Sequence, residues 1–213
     1  MATAIRNAAC VLIVVVTPSF AEKLTLVAFG DSLTQGYGLS PADGFVPQLQ
    51  GWLSANAADV TVVNAGVSGD TTAGGLARID WTLTPDVDAM IVNLGGNDLL
   101  RGIDPGSSYA NLDAILTKAD ALGLPVLLVG LRAPGNYGPE FKSAFDAIFP
   151  ALARKHGIDL TENYFIPLID QSTRRLSADL MQADGIHPNA RGVELLVEWI
   201  GPKVLSLLSK AKG

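Results

Sequence analysis

Short apolar runs rich in branched residues recur along the chain at 24–29, 60–64, 89–94 and 125–131, with a weaker run at 158–160. Between and after them lie segments with a helical rhythm, at 45–55, 72–83, 108–122, 139–155 and 189–208. Runs that barely alternate belong to strands buried on both faces, as in a parallel sheet covered by helices. The succession of strands and helices therefore predicts an α/β fold: a three-layer α/β/α domain around a five-stranded parallel sheet of flavodoxin-like type. In the last helix Val193, Leu196, Val197, Ile200, Val204, Leu207 and Leu208 fall on one stripe, which reads as core. Pro202 interrupts that helix and is expected to kink or split it. Trp52, Trp81 and Trp199 read as packing residues on helices.

In open parallel sheets, ligands bind beyond the carboxyl ends of the strands, where loops and helix N-termini converge. The polar residues that follow each run are therefore the candidates for chemistry. Gly30-Asp-Ser32 follows the first run and residues 64–71 the second. Gly95-Gly-Asn-Asp98 follows the third, residues 132–137 the fourth, and residues 184–189 precede the last helix. All five clusters are expected on one rim of the sheet.

A serine hydroxyl becomes a useful nucleophile only with a base in hydrogen-bond reach, and that base needs an orienting partner. Beyond the first 21 residues the histidines are His156 and His187. His156 sits in Arg154-Lys-His-Gly157, the ordinary arrangement of cations at a helix C-terminus before a glycine stop. His187 stands at the mouth of the last helix, on the expected rim, with Asp184 three residues earlier and Gly185 between them to relieve the turn. Asp184 could then hold Nδ1–H and leave Nε2 free for the Ser32 proton; Asp184 to Asn189 could equally be a capping turn. Developing oxyanions need aimed donors, for which the Ser32 and Gly69 N–H groups and the Asn97 amide are placed at successive strand ends. An α/β-hydrolase elbow is excluded, because Gly30-Asp-Ser-Leu-Thr34 lacks the second glycine of G-x-S-x-G.

Composition narrows the setting. Arg6, the apolar stretch 8–16, Pro18 and the small residues Ser19 and Ala21 have the layout of a secretory signal peptide, predicted here as residues 1–21. Its apolar run is too short for a stable membrane anchor, and most of that run, Val11 to Val16, follows Cys10 rather than preceding it, which argues against a lipid-attachment site. Removal of that segment would leave 192 residues, 22–213, suited to one domain, with no cysteine and therefore neither disulfide nor thiol nucleophile. The formal net charge is -6, and no basic run with interleaved aromatics is present, which excludes nucleic acid as a partner.

Four blocks in order give the chain a resemblance to the SGNH, or GDSL, hydrolases: Gly30-Asp-Ser-Leu33, Ser68-Gly69-Asp70, Gly95-Gly-Asn97-Asp98 and Asp184-Gly-Ile-His187. Finer stretches, Gly69-Asp-Thr-Thr72, Gly75-Leu-Ala-Arg78, residues 95–102 and 134–138, are similar to its secreted bacterial thioesterase, lysophospholipase and arylesterase subgroup. The resemblance spans residue 24 to the last helix. It implies a Ser32–His187–Asp184 acyl-enzyme mechanism, an oxyanion hole from Ser32, Gly69 and Asn97, and no cofactor or metal. It also implies an acyl pocket bordered by Leu99, Leu100, Arg132, Ala133, Pro134 and Tyr137, with Ala133 where bulkier apolar residues also occur. The implied substrates are small acyl esters, lysophospholipids and acyl thioesters, with protease-like action on activated amino-acid esters as a further implication. A monomer acting in the periplasm or outside the cell is the expected setting.

Other readings stand beside this one. A carbohydrate acetylesterase would share the fold, although no aromatic sugar-stacking platform is evident in the sequence. A metal-dependent phosphoesterase would instead use Asp31, Asp70, Asp98 and Asp184 around Mg²⁺ or Ca²⁺ and leave Ser32 as a turn residue. A non-enzymatic binding module could keep the scaffold and use the rim as a pocket.

Overall fold

Each apolar run forms a strand in the computed structural model, which describes residues 23–211. The strands are β1 (Leu24–Gly30), β2 (Val60–Gly66), β3 (Ala89–Asn93), β4 (Val126–Val129) and β5 (Asp159–Thr161). They make one parallel sheet in the order β2-β1-β3-β4-β5. The stretch 1–21, predicted from its sequence as a signal peptide, lies outside the described residues together with its Cys10.

The helices are α1 (Ser32–Gln35), α2 (Phe45–Ala55), α3 (Thr72–Thr82), α4 (Gly96–Leu100), α5 (Pro105–Ala121), α6 (Pro139–His156) and α7 (Ala190–Ala211). Right-handed crossovers from β1 out to β2, and then back past β1 to β3, put the connecting helices on opposite faces of the sheet. Accordingly α2 packs against α7, while α5 packs against both α3 and α6. The three layers enclose one hydrophobic core cluster centred on β1, β3 and β4, whose apolar side chains are buried on both faces. The edge strand β2 departs from that pattern, with Thr61 and Val63 exposed.

Three expectations change. Trp81 is 87 % exposed rather than packed. On α3 the buried positions are Thr72, Gly75 and Ile79, and residue 81 falls about 200° round the helix from Ile79. Pro202 does not split α7, which runs unbroken across it with the whole stripe from Val193 to Leu208 buried. Burial of that stripe outweighs the one backbone hydrogen bond that proline removes. Helix α5 starts at Pro105 rather than residue 108, because Asp104 caps the Ser107 N–H at 3.0 Å and proline suits the first helical position.

His156 is structural, as its context implied. It ends α6 before Gly157, and its ring bonds Asp113 through Nε2 at 2.8 Å and Asp120 through Nδ1. Burial alone would favour the neutral ring, but the two carboxylates win and raise its pKa.

Candidate active site

The sheet order reverses at β1, whose neighbours β2 and β3 receive the chain from opposite directions, so a crevice opens beyond its carboxyl end. Ser32 is the first residue of α1 at that point. The Asp31 carboxylate accepts the Leu33 N–H at 3.0 Å and so caps the short helix.

The histidine arrives from the far end of the chain. His187 Nε2 lies 2.9 Å from Ser32 Oγ, and its Nδ1 lies 2.6 Å from Asp184 Oδ2. The other carboxylate oxygen of Asp184 accepts the N–H groups of Ile186 at 2.9 Å and His187 at 3.0 Å. Gly185, at φ +66°, makes the tight turn possible. These contacts, the His187 backbone N–H first and its ring second, pull the Asp184 pKa down to about 2. The carboxylate is therefore ionised wherever the ring carries out proton transfer. Such an arrangement can take a proton from the hydroxyl at Nε2 while the carboxylate stabilises the imidazolium.

Sequence reasoning missed the residues that hold this loop. Gln182 N–H donates to the His187 carbonyl at 2.8 Å, and Gln182 Nε2 bridges the Tyr37 and Pro188 carbonyls at 2.8 and 2.9 Å. Asn189 Nδ2 donates to the Asp179 carbonyl at 2.7 Å, and the Tyr37 ring lies 4.7 Å from that of His187. Nothing in the local sequence around Gln182 announces this bracing, because its partners are 145 residues apart in one case.

The oxyanion candidates come together through backbone bonds. Asn97, at the start of α4, donates through Nδ2 to the Asp70 carbonyl at 2.9 Å, which leaves its second amide hydrogen for a ligand. Gly69 has φ +84°, a conformation that favours glycine, and Arg101 holds its carbonyl at 3.0 Å. Ser32, Asn97 and His187 line one cleft; Gly69 is not among its lining residues but belongs to the loop bonded to Asn97.

The other carboxylates serve the scaffold. Asp70 pairs with Arg78 at 2.6 Å, and Arg78 also reaches the Ala65 and Gly30 carbonyls and lies over the Phe29 ring. Buried Asp98 accepts from Thr72 N–H, Thr72 Oγ1 and Ser108 Oγ. Asn64 Oδ1 accepts the Gly66 N–H. Among the described residues no three His, Cys, Asp or Glu side chains converge as ligands. The arrangement a two-carboxylate cation site needs is not formed by Asp31, Asp70, Asp98 and Asp184, each of which is bonded elsewhere.

All six expected pocket residues border the cleft or its continuation. Leu99, Leu100 and Arg132 line the part next to Ser32, and Ala133, Pro134 and Tyr137 join them in the adjoining groove. Further lining residues, Phe165, Ile169 and Leu176, were missed, since they come from a segment of short turns between β5 and α7 with no periodicity to read, and Ile186 lines the groove from within the Asp184–His187 block.

Comparison with known proteins gives this geometry a lineage. The family model described as GDSL-like Lipase/Acylhydrolase matches residues 28–195. The chain belongs to that family. It is 38 % identical over 200 residues to an esterase, TesA, of Pseudomonas aeruginosa, covering 93 % of this chain and 96 % of that one. A protein of Escherichia coli called thioesterase 1/protease 1/lysophospholipase L1 is 35 % identical over 199 residues, covering 92 % and 91 %. The crystal structure of AlinE4, an SGNH-hydrolase family esterase, superposes with a TM-score of 0.72 at 41 % identity, covering 89 % of this chain and 99 % of that one. As a GDSL-family acylhydrolase, the chain is a carboxylic ester hydrolase of the serine type.

Asp31 beside the serine has a measurable signature in this acylhydrolase. It is 2 % exposed, and burial raises its pKa from 3.8 to about 6 against the opposing Leu33 N–H bond. The folded chain thus keeps a proton that the unfolded chain loses between about pH 4 and pH 6. Stability from that proton is present below the unfolded value and lost as pH rises through about 6. Asp31→Asn keeps a capping oxygen without the charge. Its stability relative to wild type, measured by urea midpoints, is expected to be higher at pH 7 than at pH 4 by up to about 3 kcal/mol.

Proposed function

We propose that this acylhydrolase works through Ser32 as nucleophile, His187 as general base and then general acid, and Asp184 as the group that orients and charges the imidazole. The unbroken chain of contacts from Ser32 Oγ to His187 Nε2, 2.9 Å, and from His187 Nδ1 to Asp184, 2.6 Å, carries the proposal. Attack on an ester carbonyl transfers the hydroxyl proton to His187 and forms a tetrahedral oxyanion. The Ser32 and Gly69 N–H groups and the Asn97 amide receive it. Collapse expels the alcohol or thiol with the proton from His187, and water repeats the sequence on the acyl-serine to free the carboxylic acid.

The acyl chain lies along Leu99, Leu100, Arg132, Ala133, Pro134 and Tyr137. That surface is apolar enough to take fatty acyl esters, lysophospholipids and acyl thioesters, in keeping with the names of the relatives. The enzyme acts as a monomer in the periplasm or outside the cell, a reading supported by the leader-like residues 1–21. No described helix is long and apolar enough to cross a membrane.

Hydrolysis of p-nitrophenyl esters from acetate to palmitate, with and without chelator, tests this reading. Each methylene placed on the apolar wall is worth about 0.8 kcal/mol, so kcat/KM is expected to rise up to about fourfold per CH₂ from acetate until the groove is filled. Chelator is expected to leave the rates unchanged. Activity confined to acetate would favour a carbohydrate acetylesterase, and loss of ester hydrolysis on chelation would overturn the metal-independent Ser32 mechanism.

A further inference from the structure

The groove beyond the Ser32 cleft is apolar along most of its length, with Leu100, Ile169 and Leu176 among its walls. Its charged lining residues are Arg132 and Arg174, and no carboxylate is among them, in a chain whose formal net charge is -6. Two cations without an acid, on the wall of an apolar groove of an acidic protein, are a charge pattern in search of an anion.

Arg132 has only a distant, shared ionic partner, and Arg174 has none among the described residues. Arg132 approaches Asp146 only at 3.9 Å, and that carboxylate already accepts from Lys142 Nζ and the Ala133 N–H, both at 2.8 Å. The carboxylate nearest in sequence to Arg174 is Asp170. Its Oδ1 is taken by the N–H groups of Ser172 at 2.9 Å and Thr173 at 2.8 Å and by both their hydroxyls. Those bonds pull the Asp170 pKa down to about 2, the Ser172 hydroxyl contributing most. Among the described residues no ion pair or side-chain hydrogen bond engages the Arg174 guanidinium. Arg174 also holds φ +58°, outside the region that non-glycine residues prefer, with its N–H bonded to the Asp170 carbonyl at 2.9 Å. The turn spends its own acceptors on itself and presents the arginine to the groove.

We propose that Arg132 and Arg174 form an anion subsite for the substrate. It would take the carboxylate or phosphate of an ester whose apolar segment lies in the groove while its carbonyl reaches Ser32. This rests on the Ser32 reading above and adds a charge preference to it. Two sources share the chemistry: an acyl chain ending in a free carboxylate, on the acyl side of the scissile bond, and a lysophospholipid phosphate, on the alcohol side. A planar guanidinium suits either, because it offers paired N–H donors to two oxygens.

The test compares kcat/KM for mono-p-nitrophenyl suberate with that for its neutral methyl ester, and for lysophosphatidic acid with that for the matching monoacylglycerol. Both pairs are run with wild type and Arg174→Gln. The anionic member is expected to be preferred, and the preference to fall about fivefold in Arg174→Gln and to shrink in about 0.5 M salt. The suberate pair responding alone assigns the acyl side, and the lysolipid pair responding alone assigns the alcohol side. Equal ratios in wild type and variant for both pairs overturn the subsite, even while the neutral esters turn over. Calorimetric binding of octyl phosphate against octanol needs no turnover. It therefore supports the subsite if the phosphate binds wild type more tightly than Arg174→Gln, even were the Ser32 reading to fail, and overturns it if the two proteins bind alike.

Discussion

Replacing Ser32 with alanine is expected to lower kcat by about 10⁴–10⁶-fold on every ester, with little change in folding midpoint. The side chain removed is a small hydroxyl at the first position of α1, and the helix cap belongs to Asp31 and survives. What disappears is the atom that His187 Nε2 faces at 2.9 Å. Residues that act as a unit are not additive, so His187→Ala and the double variant are expected to sit within about tenfold of Ser32→Ala. Residual rate over water is expected to remain, because the proposed oxyanion donors at Gly69 and Asn97 are untouched. Purified variants assayed on p-nitrophenyl butyrate, with active-site titration to exclude wild-type carry-over, measure this. A Ser32→Ala enzyme as active as wild type would return Ser32 to the status of a turn residue.

Asp184→Asn is expected to cost about 10³–10⁴-fold in kcat with KM changed by less than about threefold. The amide can still receive the Ile186 and His187 backbone N–H groups through its oxygen, so the turn persists. Its NH₂, however, faces Nδ1 and favours the tautomer with the proton on Nε2, where it blocks acceptance from Ser32. The charge that would stabilise the imidazolium is also gone. Wild-type Asp184, with its pKa pulled down to about 2, gives stability that is present above the unfolded carboxylate value and lost only as pH falls through about 2. Any loss of wild-type activity between pH 7 and pH 4 is therefore not expected to come from protonation of Asp184. A kcat–pH profile of the variant that matched wild type in height would overturn the orienting role.

Much of the site could be read along the chain because its parts are local. Gly30-Asp-Ser32 ends one strand, Gly95-Gly-Asn97 ends another, and Asp184 stands three residues from His187. Strand ends of a parallel sheet converge, so residues at those ends could be assigned to one rim without knowing distances. The walls of the groove were legible only where a motif reached them, at Leu99, Leu100 and the 132–137 loop. The lining residues Phe165, Ile169 and Leu176 have neither the period of a helix nor that of a strand. Trp81 shows the same limit from the other side: an aromatic residue in a helical rhythm reads as core, yet its angular offset from Ile79 turns it outward.

By itself the sequence determined the strand-and-helix succession, the parallel sheet and the residue types at each strand end, because period, caps and glycine turns are short-range properties of the chain. Only the tertiary structure decided that His187 meets Ser32 across 155 residues, and that Gln182 braces the loop between them. It alone decided that Asp31 is buried enough to hold its proton to about pH 6, and that two arginines 42 residues apart face one groove. Those outcomes depend on distance and desolvation in three dimensions, and neither quantity is carried by spacing along the chain.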